Sequence, residues 1–296
     1  MQKALDIDGQ IQLLRSRGMT FDNIGKAKEI LSDVGFYRLG FYSFPFELTF
    51  PSIKGRDHKL CEGTTFLSVY QLYDFDSKLR RILLNALDRI EVNVRTRICN
   101  IVSCVYDQSP TWFADKTIMK SDFVSSFPSK VYKAISENPV IIRHHNAHIN
   151  DKFAPAWKTL EFMTLGNLTT LYRAIKDERV KLKVAQSYGC TTGVFINYLE
   201  TVRVIRNKCA HGSCLYNISI PKGFKRSPAR IESEDRHNIS GAIRVIGFIL
   251  GTISNNRKRE LMSRILLLLQ EQRDPKTDRI IRTCTNLSCE NLERDE

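Results

Sequence analysis

No stretch of this chain approaches the roughly 18 to 20 uninterrupted apolar residues that a membrane-spanning helix needs, and its opening MQKALDIDGQ lacks the charged and then apolar pattern of a signal segment. Together these absences predict a cytoplasmic protein with no membrane partner. Internal repeats and low-complexity tracts are missing, and alternating strand-like runs are nearly so. The eight cysteines in 296 residues are too thinly spread for a disulfide scaffold in a chain with ample core, so free thiols are expected. Three cysteine pairs share one spacing, Cys99/Cys104, Cys209/Cys214 and Cys284/Cys289. Helix positions five apart diverge by about 140°, so the pairs lying in helical patterns cannot pinch one ion. Neither a metal nor a cofactor is expected.

What the sequence does have is positive charge. Its 45 Lys and Arg against 32 Asp and Glu leave +13, which favours a polyanionic partner, nucleic acid first and an anionic membrane surface second. With 42% hydrophobic residues it can build a sizeable core. Apolar residues recur at three and four, predicting an all-α fold.

Two short helices are predicted over 8–17 and 23–34, and Gly35 supplies a stop. The next segment, FYRLGFYSFPFELTF, holds six aromatics before Phe50 and is broken by Gly40 and Pro45, which suggests a packed turn rather than a helix. Its rings either stack on bases or form a plug fixing the amino-terminal helices to the main body. After a polar loop, residues 66–105 form the longest periodic segment. At about 60 Å it is long for a globular helix, so a bend or break is expected. Glu91 lies four residues before Arg95 on one face of it.

The histidines of RHHNAH, 143–148, read as a polar connector because no further ligand stands at helical spacing. Further helices are expected from Trp157 to Ala174 with a break at Gly166, from Phe195 to about Ala210, and from Asn238 to Leu269 with an interruption near Gly251 or Ser254. Between the last two, 217–236 is a basic loop whose alternatives are a disordered connector and a phosphate-contacting arm. Three regions result: an amino-terminal helical region with the aromatic turn over 1–60, a helical domain over 61–270, and a polar, loosely ordered tail over 271–296.

The segment VRVIRNKCAHGSCLYN, 202–217, carries the candidate chemistry. Phe195, Tyr198, Val202, Ile205 and Cys209 make one apolar stripe, and Arg206 falls at its edge, half buried. An arginine there wants an anion, and a phosphate suits it. On an unbroken helix His211 lies on the opposite side. Gly212 is a natural terminator, so either the last turn unwinds and swings the imidazole back, or the pair converges across a two-fold axis. An arginine with an imidazole suits RNA cleavage by the adjacent 2′-hydroxyl. By itself the spacing favours a structural helix end.

Several separated blocks add to this. QIQLLRSRGM (10–19), VGFYRLGFYSFPFE (34–47), VYQLYDFDSKLRRILLNALDRIEVNVRTRI (69–98), PAWKTLEFMTLGNLTTLY (155–172) and RNKCAHGSCLYN (206–217) occur in order. In these blocks the chain resembles the Abi-like abortive-infection family, whose carboxyl-terminal half is a HEPN-type ribonuclease domain. The resemblance implies an all-α, HEPN-like helical bundle with an amino-terminal extension, a homodimer, and a metal-independent endoribonuclease serving phage defence. By motif match Arg206 and His211 carry over as catalytic, with Asn207 orienting them. Arg203, Lys208, Glu91, Arg95, Lys222, Lys225 and Arg226 are candidate RNA-binding residues. The sequence departs from the family pattern at Gly212, Cys214 and Ile218. A non-catalytic protein holding a structured non-coding RNA, and a toxin controlled by a partner, are the alternatives.

Overall fold

The fold is organised by one helix. In the computed structural model, which describes residues 4–290, α4 (Phe66–Val105) runs for 40 residues without a break. The expected bend is absent, and the reason is in the stripe: Val69, Leu72, Phe75, Leu79, Leu83, Leu87, Ile90, Val94, Ile98 and Val102 are all buried at steps of three and four. No proline or glycine interrupts them, and helices pack against the stripe along most of its length. Thr65 caps its start, accepting the Ser68 amide at 2.9 Å.

Around α4 lie α1 (Ile7–Ser16), α2 (Ile24–Val34) and α3 (Phe36–Ser43) at the amino-terminal end. The short helices α5 (Ser121–Phe127), α6 (Lys133–Ser136), α7 (Pro139–Ala147) and α8 (Ala156–Thr159) follow. The bundle is completed by α9 (Leu165–Ala174), α10 (Glu178–Gln186), α11 (Thr192–Ala210), α12 (Ile239–Ile253), α13 (Asn255–Gln270) and α14 (Pro275–Thr285). Among the described residues no strand forms, only three isolated bridges. The protein is all-α.

Four elements differ from the sequence expectation. Residues 36–43 are helical despite Gly40, because Leu39 and Tyr42 bury one face against α4; the aromatic turn is confined to Phe44–Phe46, at Pro45. The break expected at Gly166 falls earlier, at residues 160–164, and Gly166 sits inside α9. The tail is ordered where described: α14 packs on α4, with Thr277 donating to the Ser68 carbonyl at 3.0 Å and Lys276 to the Glu62 carbonyl at 2.9 Å. The rest of the expected loose tail, 291–296, lies outside the described residues. The basic loop is also ordered. Phe224 and Ile231 plug it into the core, and Asn197 and Tyr198 of α11 hold its backbone at Lys225 and Ala229. The α12–α13 interruption does fall at Ser254, whose hydroxyl caps α13.

Candidate functional site at the carboxyl end of α11

The last turn of α11 stays wound. The His211 amide donates to the Asn207 carbonyl at 3.0 Å, and Gly212 then turns left-handed at φ +65°. Gly212 donates to the Cys209 carbonyl and Ser213 to that of Lys208, a Schellman termination in which glycine alone escapes a Cβ penalty. The unwinding that would have swung the imidazole towards the arginine does not occur. Five residues of wound helix leave Arg206 and His211 about 140° apart around the axis.

Each residue of the pair has a distinct environment. The Arg206 guanidinium is half buried, its Nε 3.4 Å from Glu91 Oε2 and its Nη1 donating to Asn207 Oδ1 at 3.4 Å. Its Nη2 makes no hydrogen bond among the described residues. Glu91 sits behind it, bridging to Arg95 through Oε1 at 3.4 Å. Arg95 is committed further inward, donating to the Met163 carbonyl at 3.2 Å, and its side chain is only 12% exposed. Both candidate RNA-binding residues of α4 are thus largely buried: Glu91 braces Arg206, and Arg95 ties α4 to Glu91 and the Met163 carbonyl. His211 is exposed and, among the described residues, its side chain makes no hydrogen bond.

The turn after His211 is clamped by residues that the motif alone does not reveal. Arg38 of α3 donates to the Gly212 carbonyl at 2.7 Å. Asp76 of α4, fully buried, accepts the amides of Leu215 and Tyr216 at 2.9 and 2.8 Å through one oxygen. Through the other it accepts the Tyr42 hydroxyl at 2.8 Å and pairs with Arg80, which also reaches the Ser213 carbonyl at 3.3 Å. A signal for this existed in the sequence: Asp76 interrupts the apolar stripe between Leu72 and Leu79, with an arginine four residues on.

The remaining candidates scatter. Arg203 pairs with Glu200 at 2.7 Å, and Lys208 is half exposed one residue beyond Asn207. Lys222, Lys225 and Arg226 are exposed, but their loop is anchored at Asn197 and Tyr198, about 12 Å back along α11 from Arg206. The expected polar connector at 143–148 is instead the end of α7: His144 is buried near Asp151 with its ring 4.7 Å from that of His148 and 5.4 Å from that of His145, and His145 meets the Tyr132 hydroxyl. Among the described residues no group of three His, Cys, Asp or Glu could hold a metal. Burial pushes the Cys209 thiol up to about 12 and raises that of Cys214, so neither supplies a thiolate. Of the departures from the family pattern, Gly212 makes the helix stop and Ile218 is buried.

An all-α protein with an arginine and an exposed histidine at one helix end, and no helix among the described residues long and apolar enough to cross a membrane, defines the class. The chain belongs to the Abi-like protein family, whose model matches residues 29–217, and this membership points to abortive-infection defence against phage. No curated protein and no solved structure matches it.

Proposed function

We propose that the protein is a metal-independent, HEPN-type endoribonuclease of phage defence, with Arg206 and His211 catalytic and Asn207 orienting the arginine. One observation carries this reading. The Arg206 guanidinium is braced by Glu91 and Asn207 while its Nη2 makes no hydrogen bond among the described residues, at the same helix end as an exposed imidazole that likewise makes none.

In this chemistry the 2′-hydroxyl of RNA attacks the adjacent phosphorus. Histidine takes the 2′ proton or delivers one to the departing 5′ oxygen, and arginine neutralises charge building on the non-bridging oxygens. The products are a 2′,3′-cyclic phosphate and a 5′-hydroxyl. Because the two side chains diverge by about 140° on one helix, a two-fold pairing of α11 ends is the arrangement that brings one copy's arginine and the other's histidine to a single phosphate. It also supplies two imidazoles, one as base and one as acid.

The test is cleavage of end-labelled RNA in EDTA. The wild-type chain cuts, leaving cyclic phosphate ends, and Arg206→Ala or His211→Ala slows it by at least about 100-fold. A double variant cutting at the wild-type rate, or cleavage that EDTA abolishes, refutes the proposal. Tight RNA binding with no cleavage selects the non-catalytic RNA holder instead.

A further inference from the structure

The aromatics of residues 36–50 divide into two sets. Tyr42 and Phe46 are fully buried, and Phe44 is covered by the Arg56 guanidinium, 4.3 Å from its ring centre. Tyr37 and Phe41, one turn apart on α3, are 81% and 49% exposed, with their rings edge to face at 5.2 Å. The buried set is the plug that fixes the amino-terminal helices. The exposed set does no packing that would explain it.

Tyr37 and Phe41 border a groove of about 310 Å³. Its apolar lining includes the buried Leu39 and Phe66, and its polar lining includes Arg17, Arg56 and Glu47. Glu47 is already matched, since Arg56 donates to both of its oxygens at 2.6 and 2.9 Å. Arg17 is different: its guanidinium makes no hydrogen bond or ion pair among the described residues. The groove thus offers an apolar floor, two exposed rings and one uncommitted cation. That combination matches a planar heterocycle attached to a phosphate. The volume falls at the small end of ligand pockets, enough for one base but not for a duplex.

The groove also adjoins the candidate site. Arg38, next to Tyr37, holds the Gly212 carbonyl, and the Phe41 carbonyl accepts the Tyr216 hydroxyl at 2.8 Å. One helix about 12 Å long therefore carries the groove on one face and the turn after His211 on another. We propose that this groove is a base-binding subsite. An unpaired nucleobase of single-stranded RNA, flanking the phosphate at His211, stacks on Tyr37 and Phe41 while its own phosphate faces Arg17. The assignment rests on the ribonuclease reading of Arg206 and His211.

The test uses the full chain carrying His211→Ala, so that RNA is not consumed, and measures binding of a labelled single-stranded octamer and of a hairpin duplex at fixed salt. Adding Tyr37→Ala and Phe41→Ala weakens the single strand by about ten-fold or more and leaves the duplex unaffected. Tyr37→Trp restores binding, and Arg17→Ala flattens the salt dependence of single-strand binding by about one charge. Melting temperature and oligomeric state, measured in parallel, stay unchanged. Equal single-strand affinity with and without the two rings overturns the subsite while leaving the nuclease reading intact. Dissociation of a dimer on removing the rings overturns it in favour of a second copy of the chain as the occupant. Absence of any RNA affinity or cleavage in the unmutated chain removes the ribonuclease reading and the subsite together.

Discussion

Replacing Asp76 with alanine is the sharpest test of how the fold holds the His211 turn. The carboxylate is wholly inaccessible and serves four partners: the Arg80 guanidinium, the Tyr42 hydroxyl, and the amides of Leu215 and Tyr216. Arg80 is itself buried, with only 7% of its side chain exposed. Removing the carboxylate strands that guanidinium and two amides away from water. Breaking a buried pair from one side costs about 3–5 kcal/mol, against a total stability on the order of 5–15 kcal/mol. For a chain of this size that is a fall in Tm of roughly 5–10 °C. Urea unfolding followed by far-UV circular dichroism measures it. Asp76→Asn, which keeps an acceptor but loses the charge, falls between alanine and wild type. Asp76→Ala combined with Arg80→Met recovers part of the loss, because the uncompensated charge has gone. A loss below about 1 kcal/mol for Asp76→Ala, or no recovery in the double variant, refutes the account of this network as a charge-paired clamp.

Two further outcomes concern neighbouring features. Gly212→Ala places a Cβ at φ +65° and within 3.2 Å of Arg38 Nη1, so it should cost about 1–2 kcal/mol in the same unfolding assay; an unchanged midpoint contradicts the left-handed termination. Burial of Glu47 raises its pKa, but hydrogen bonds from Arg56 and His58 outweigh this and hold the carboxyl below its usual 4.5. A depressed carboxyl favours the folded state above the unfolded pKa, and that contribution is lost as pH falls through the folded value. Glu47→Gln is accordingly less stable at neutral pH and loses less stability than wild type between about pH 5 and 3. Parallel curves for the two proteins over that range count against the pairing.

Much of the fold follows from local pattern. The apolar stripe of α4, the stop at Gly35, the break at Ser254 and the termination of α11 at Gly212 all depend on residues within a turn or two, and periodicity reads them directly. The Arg206 and His211 pair was singled out by resemblance across separated blocks, because its local spacing alone favoured a structural helix end. What the sequence by itself determined is therefore the helical class, the longer helical segments and two candidate residues, whereas the helices over 36–43, 121–147 and 178–186 were not read from it.

Only the tertiary structure decided which charges are free. By local pattern alone Arg80, Arg95 and Arg97 of α4 are charges that solvent could take, yet they end on Asp76, on Glu91 and the Met163 carbonyl, and on the Ser187 and Thr252 carbonyls. Those last carbonyls lie 90 and 155 residues away from Arg97, beyond any local pattern. The same holds for the aromatic segment: its division into a buried plug and an exposed rim depends on where α4 and the helices at the amino-terminal end meet α3. The separation of Arg206 from His211 is fixed by a backbone that stays wound to Ala210, because the Schellman bonds satisfy the last carbonyls without unwinding.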